Sequence, residues 1–177
     1  MPGDALSRWL FGKMPSHGDF VSRGLDRDAR EALDLWLSAE MAQAQADFDG
    51  DEEKFDMAWR AAPAWLFVRE HGAGWEGGAM AASLDRVGRR FPLLLAAPAA
   101  DIEAAAGVAT GCLGAISLGF EEGYEADRLH EAELAPVEYD WQPQVAEWAL
   151  VGESKPLERL AGNCPAGLVA SMLGKGE

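Results

Sequence analysis

Residues 83–98 read SLDRVGRRFPLLLAAP, and this stretch decides the fold. Its second half, 91–97, is an almost unbroken apolar run. With no polar residue to mark a wet side, it predicts a strand buried on both faces. The half before it gathers Asp85, Arg86, Arg89 and Arg90 around Gly88, a residue that admits a positive φ at a turn. A charged loop is thereby held at the mouth of a rigid strand, a common place for function. Two readings of its arginines stand side by side. In one, Asp85 or helix carboxylates neutralise them and the loop is pinned to the domain. In the other, they face a partner or a phosphate, to which the planar guanidinium fork is suited.

Working outward, residues 65–70 (WLFVRE) and 75–84 (WEGGAMAASL) are strands by composition. Their short connections favour antiparallel neighbours, so 65–97 reads as a three-stranded meander. Gly77 and Gly78 mark a bulge or a close backbone approach. Upstream, Trp9, Leu10 and Phe11 form a strand ended by Gly12, and Pro15, Gly18 and Asp19 make a loop. Apolar residues spaced by three and four over 25–46 predict an amphipathic helix with Asp26 as N-cap. A short helix over 55–61 brings Trp59 to the core, and Pro63 stops it. Downstream, Asp101 caps a small-residue helix over 102–116 or a little further. A second helix is expected over 121–134, a strand over 145–151 with Trp148 inward, and short helices over 157–160 and 168–173. The element order predicts an α/β fold with a mixed, largely antiparallel central sheet covered by helices.

The 177-residue length suits a single domain, 1–177, with 152–177 a loosely structured C-terminal extension. The composition, 49% hydrophobic and 25% charged, is that of a globular chain. A formal net charge of −15 repels nucleic acid and anionic lipid, so neither is an expected partner. No apolar run approaches the ~20 residues of a bilayer span, and no export signal opens the chain, so membrane insertion is not expected and the cytoplasm is. Cys112 and Cys164 are then expected to be free, buried thiols. Trp75, beside Gly-rich turn residues, is the tryptophan expected to be partly exposed.

Few residues suggest chemistry. Ser16, His17 and Asp19 resemble a hydrolytic set, with Asp85 a further acid. Neighbours on one loop, however, do not converge as nucleophile, base and orienter. The alternative is a turn in which Ser16 and Asp19 bond backbone amides. His17, His71 and His130 have no partner at metal-ligand spacing. The acidic turn 47–53 (DFDGDEE) is out of register for a calcium loop. No catalytic, metal-binding or cofactor-binding residue is assigned, and no cofactor is expected.

Three segments carry a resemblance. FGKMPSHGDF (11–20) followed by VSRGL, APAWLF (62–67) and SLDRVGRRFPL (83–93) resemble, in order, the motifs of the TagF family of type VI secretion accessory proteins. The family often has Arg where His17 and Leu66 stand. The resemblance implies a three-layer α/β/α sandwich and a cytoplasmic, non-enzymatic regulator. Such a regulator restrains assembly or firing of the secretion apparatus after translation, through a protein partner with a forkhead-associated domain. A structural component of the apparatus and a hydrolase are the alternatives. The partner-binding candidates are Ser16, His17, Asp19, Arg23, Asp85, Arg86, Arg89 and Arg90.

Overall fold

A computed structural model describes residues 7–174. Its centre is a seven-stranded sheet in the order β2-β1-β5-β4-β3-β6-β7. The strands are β1 (Trp9–Gly12), β2 (Val21–Arg23), β3 (Trp65–His71), β4 (Gly74–Ala81), β5 (Leu93–Ala99), β6 (Glu147–Leu150) and β7 (Glu158–Ala161). The chain is α/β, as expected, and β3–β4–β5 is the expected meander. The sheet is not mixed: every pairing among the described residues is antiparallel. The reason is connectivity: β5 turns its free edge to β1, and β6 returns to β3, each running opposite to its neighbour.

The apolar run behaves as a strand wet on neither side. Leu94 and Ala96 enter one core, and Leu93 and Leu95 enter the other. The first core is aromatic: Trp9, Phe11, Trp65, Phe67 and Trp148 meet α1 (Arg27–Ala46), α2 (Glu52–Ala61) and α5 (Leu168–Met172). The second core is built from short side chains. It joins Leu10, Leu66, Val68 and Ala79 to α3 (Ile102–Glu122) and α4 (Ala126–His130). Small residues let α3 lie close to the sheet: a Cβ on Gly77 would stand 1.9 Å from the Ala105 carbonyl oxygen. Gly77 therefore marks a close approach, the second of its two expected roles. Asp26, Asp51 and Asp101 cap α1, α2 and α3 by accepting the N–H of Ala29, Lys54 and Ala104. The acids of the 47–53 turn thus partly belong to the first turn of α2, where the helix dipole favours them.

Several expectations need correction. β2 was not foreseen, because three residues with a polar centre carry no periodic signal. The helix expected over 121–134 is reduced to α4. α3 runs on to Glu122, and Gly123, at φ 70°, ends it in a left-handed cap. Residues 158–161 are an edge strand rather than a helix, paired with β6. The stretch from 152, read as a loose extension, carries β7 and α5 up to residue 174. The Glu40 carboxylate of α1 accepts the Leu168 N–H at 2.7 Å and so fastens α5. Residues 175–177 lie outside the described part. Cys112 is buried, and burial pushes its thiol up to about 12, but Cys164 is exposed. α3 is also long and apolar enough, by length and composition, to cross a membrane, contrary to the reading of no such run. Its alanines and aliphatic residues raise its hydropathy, while its short side chains serve here as the face packed on β3, β4 and β5.

Candidate functional site

Two loops, 13–20 and 82–92, meet at one end of the sheet because β1 and β5 are neighbours. Gly12, the last residue of β1, pairs with Leu93, the first of β5. Gly12 sits at φ 135°, and a Cβ there would lie 2.0 Å from the Pro92 carbonyl oxygen. Only glycine lets the loops come together this closely.

Asp85 is the hub where they join. Its carboxylate is fully buried and 3.6 Å from Lys13 Nζ, itself nearly buried. Oδ1 accepts the N–H groups of Val87 and Arg89 at 3.1 and 2.9 Å, and Oδ2 accepts Arg89 Nε–H at 2.6 Å. Burial works to raise the Asp85 pKa. The Arg89 backbone and guanidinium bonds, its charge and the Val87 N–H overcome this and hold the carboxyl below the ordinary range.

Around this hub the loops are laced. Ser83 Oγ donates to the Lys13 carbonyl at 2.7 Å, and Arg86 N–H to that of His17 at 2.8 Å. Arg86 Nη2 donates to the Ser16 carbonyl, and Arg89 Nη2 to that of Gly18 at 2.6 Å. Arg90 turns the other way, to α2. It pairs with Glu52 at 2.5 Å and Asp56 at 3.0 Å and lies over the Phe55 ring at 4.9 Å. Hydrogen bonds from Arg60 and then Arg90 hold the Asp56 carboxyl below its ordinary range.

The loop 13–20 is also tied to α4. Ser16 Oγ donates to the Tyr124 carbonyl at 2.7 Å, and His17 Nε2 accepts the Ala126 N–H at 3.0 Å. Arg23 Nε donates to Asp127 at 2.7 Å and, chiefly through that bond, lowers its pKa. Asp19 accepts the Phe20 N–H at 2.8 Å, a backbone amide as expected, whereas Ser16 does not bond an amide N–H of its own turn but donates to the distant Tyr124 carbonyl.

Seven of the eight candidate residues lie on the two meeting loops, in different roles, while Arg23, at the far end of β2 opposite Leu10, reaches Asp127 of α4. Ser16, His17, Asp85, Arg89 and Arg90 hold loops, sheet and helices together. The serine hydroxyl proton and the histidine Nε2 lone pair are both engaged with backbone, the atoms that a nucleophile and its base would use. What faces outward is Asp19, the exposed side of Arg86 and Arg89, and two residues missed in the sequence: Phe20, 43% exposed, and Val87, 71% exposed. Val87, the lone apolar residue within a charged turn, was the available signal. Lys13, at the hub, was missed because a buried lysine cannot be told from an exposed one by type.

A second polar group lies at the opposite end of the sheet. Trp9 Nε1–H donates to Glu76 at 2.9 Å, and Arg69 Nε lies 3.6 Å from the other oxygen of that carboxylate. They border a cavity of about 170 Å³ walled mainly by Leu25, Leu33 and Trp36. Glu76 offsets the charge of Arg69, but Arg69 Nε and Nη1 are buried with no hydrogen-bond partner among the described residues, so this cavity stands as a second candidate beside the loop rim.

The residues build an antiparallel α/β domain whose two motif loops lock into one rim. Residues 10–115, more than half of the chain, match the TagF N-terminal domain, which is type VI secretion system-associated. The chain belongs to the TagF family and is thereby linked to type VI secretion. It is also similar to PA0076 from Pseudomonas aeruginosa PAO1, known from a crystal structure. The TM-score is 0.64 at 25% sequence identity, over 97% of this chain and 96% of that one. No curated protein matches the chain.

Proposed function

We propose that this protein is a non-enzymatic, cytoplasmic repressor that acts after translation on type VI secretion by binding a component of the apparatus. A scaffold protein with a forkhead-associated domain is the first partner to test. The sheet with its helix-borne cores on both faces is read as the family's α/β/α sandwich, one domain over the whole chain. One observation carries the functional reading. The two segments 11–20 and 83–93, which resemble the family motifs, meet in a laced rim beside a cavity of about 330 Å³ bordered by Pro15, Trp59, Ser83 and Leu84, and Phe20, Arg86 and Val87 stand outward from that rim. A rigid rim with exposed apolar and cationic side chains suits protein recognition, where ordering costs at the interface are already met.

The test is deletion and overexpression of the gene in the bacterium that encodes it, with effector secretion as readout. Deletion is expected to raise secretion and overexpression to lower it. Unchanged secretion in both would sink the proposal. Purification of the scaffold with this chain, and its loss when the rim is altered, would name the partner.

A further inference from the structure

We propose that His17 is an acid-sensitive latch of the rim: its neutral ring fastens loop 13–20 to α4, and protonation of the ring releases that bond. This adds a regulation to the rim and rests on the reading above for its consequence in the cell.

The direction of one hydrogen bond decides the matter. His17 Nε2 lies 3.0 Å from the backbone nitrogen of Ala126, the first residue of α4. A backbone N–H can only donate, so Nε2 offers its lone pair and the ring proton sits on Nδ1. A second proton, taken up at Nε2, sets two donors against each other and removes the bond. His130 is the opposite case. Its Nε2 meets the Arg8 carbonyl at 3.0 Å, and a carbonyl only accepts, so that bond survives when the ring is charged. His71, the third histidine of the chain, is exposed at the end of β3. Of the hydrogen bonds described for these rings, that of His17 is the one that requires the neutral form.

What this bond holds gives it reach. Loop 13–20 meets the α4 side through His17 and through Ser16 Oγ, which donates to the Tyr124 carbonyl. The same stretch carries the rim. Arg86 N–H donates to the His17 carbonyl, and the Arg86 and Arg89 guanidiniums donate to those of Ser16 and Gly18. The carbonyls that position both arginines thus belong to His17 and its two neighbours. The ring is half-buried, so protons reach it, and loss of the Ala126 bond leaves Ser16 to hold the loop.

The charged groups on the elements that meet the ring are Asp127 and His130 of α4, Glu125 ahead of it, Arg23 of β2, Arg86 of the facing loop and Asp19 of its own. Asp127 is held below the ordinary carboxyl range chiefly by its hydrogen bond from Arg23. It therefore keeps its charge while histidine rings titrate, between about pH 5 and 8. Acid in that interval acts on the latch through the ring and leaves the Arg23–Asp127 pair intact.

The experiment uses the full chain. Histidine-selective NMR reads the tautomer and titration of each ring. Amide hydrogen exchange, corrected for its intrinsic pH dependence, reads protection at Ala126 and across 13–20. His17 is expected as the Nδ1–H tautomer at about pH 7.5, where a histidine of ordinary pKa is neutral. Between about pH 7.5 and 5.5, Ala126 is expected to lose protection roughly tenfold, the worth of one hydrogen bond. His17→Gln keeps an acceptor for the Ala126 N–H but cannot titrate, so its protection should match wild type at the higher pH and persist at the lower. His130→Gln should lose protection at Ala126 as wild type does. An Nε2–H tautomer of His17 at the higher pH would overturn the proposal, and it is read on the wild type, so no variant's folding enters. Equal losses in wild type and His17→Gln, or a loss abolished by His130→Gln, would overturn it too. Effector secretion separates the two proposals. If Ala126 responds as stated but gene deletion leaves secretion unchanged, the latch stands and the repressor reading falls. If deletion raises secretion but Ala126 ignores acid, the latch falls and the repressor reading stands.

Discussion

The inner and outer halves of the paired loops use the same residue types to opposite ends. On the inner half, Asp85 and Lys13 are buried and Arg90 is half-buried, and each charge faces its opposite within the protein. On the outer half, Arg86 and Val87 sit at the tip of the same turn and are exposed. Adjacent residues, Asp85 and Arg86, divide into a charge that the fold depends on and one that it barely uses. A family motif can thus be one continuous string while its letters serve two masters, folding on one side and recognition on the other.

The largest expected effect breaks the inner half. Asp85→Ala removes the acceptor of two backbone N–H groups and one guanidinium and leaves Lys13 buried without its partner. A broken buried pair of this kind costs about 3 kcal/mol or more. For a chain of this size that lowers the melting temperature by roughly 10 °C, measured by circular dichroism. The contrast also depends on pH. The Asp85 carboxyl is held below its ordinary value in the folded state, so its contribution is present at neutral pH and is lost as pH falls below about 4. Asp85→Asn lacks that contribution throughout, so the stability gap to wild type is expected to close in acid. A gap that stays constant down to the acid transition would contradict the assignment of Asp85 as the charged hub.

An intermediate effect is expected from Arg90→Ala. It loses two ion pairs to α2 and the contact over Phe55, worth together about 1 kcal/mol because Glu52 and the rim of Arg90 are open to solvent. Chemical denaturation would read it, and a loss as large as that of Asp85→Ala would blur the division between the halves. The smallest effect belongs to the outer half. Arg86→Glu is expected to change stability by no more than about 0.5 kcal/mol, as surface substitutions generally do.

Much of this architecture was legible in the residues. The run 91–97 announced a strand buried on both faces, which runs as Leu93–Ala99; the paired glycines 77 and 78 announced a bulge or a close approach, of which the structure shows the second; and Asp26 and Asp101 announced helix starts. Strand 21–23 and the short α4 were not legible, because three to five residues carry no period. What holds α4 is His17, Arg23 and Arg8, more than a hundred residues away. The strand at 158–161 was hidden for the same reason: its pairing with β6, not its composition, makes it one. At the site, the division of the candidate residues into holding and facing roles depends on which carbonyl each guanidinium reaches, a property of the assembled loops alone.

The central claim is that the outer half acts on the partner while the inner half keeps the rim in shape. It is tested most directly by effector secretion in the encoding bacterium, with the chromosomal gene carrying Arg86→Glu and Val87→Asp and the purified variant's melting temperature measured alongside. The account predicts secretion raised to the level of the gene deletion with melting within about 2 °C of wild type. Secretion that remains repressed by a fully folded variant would contradict it.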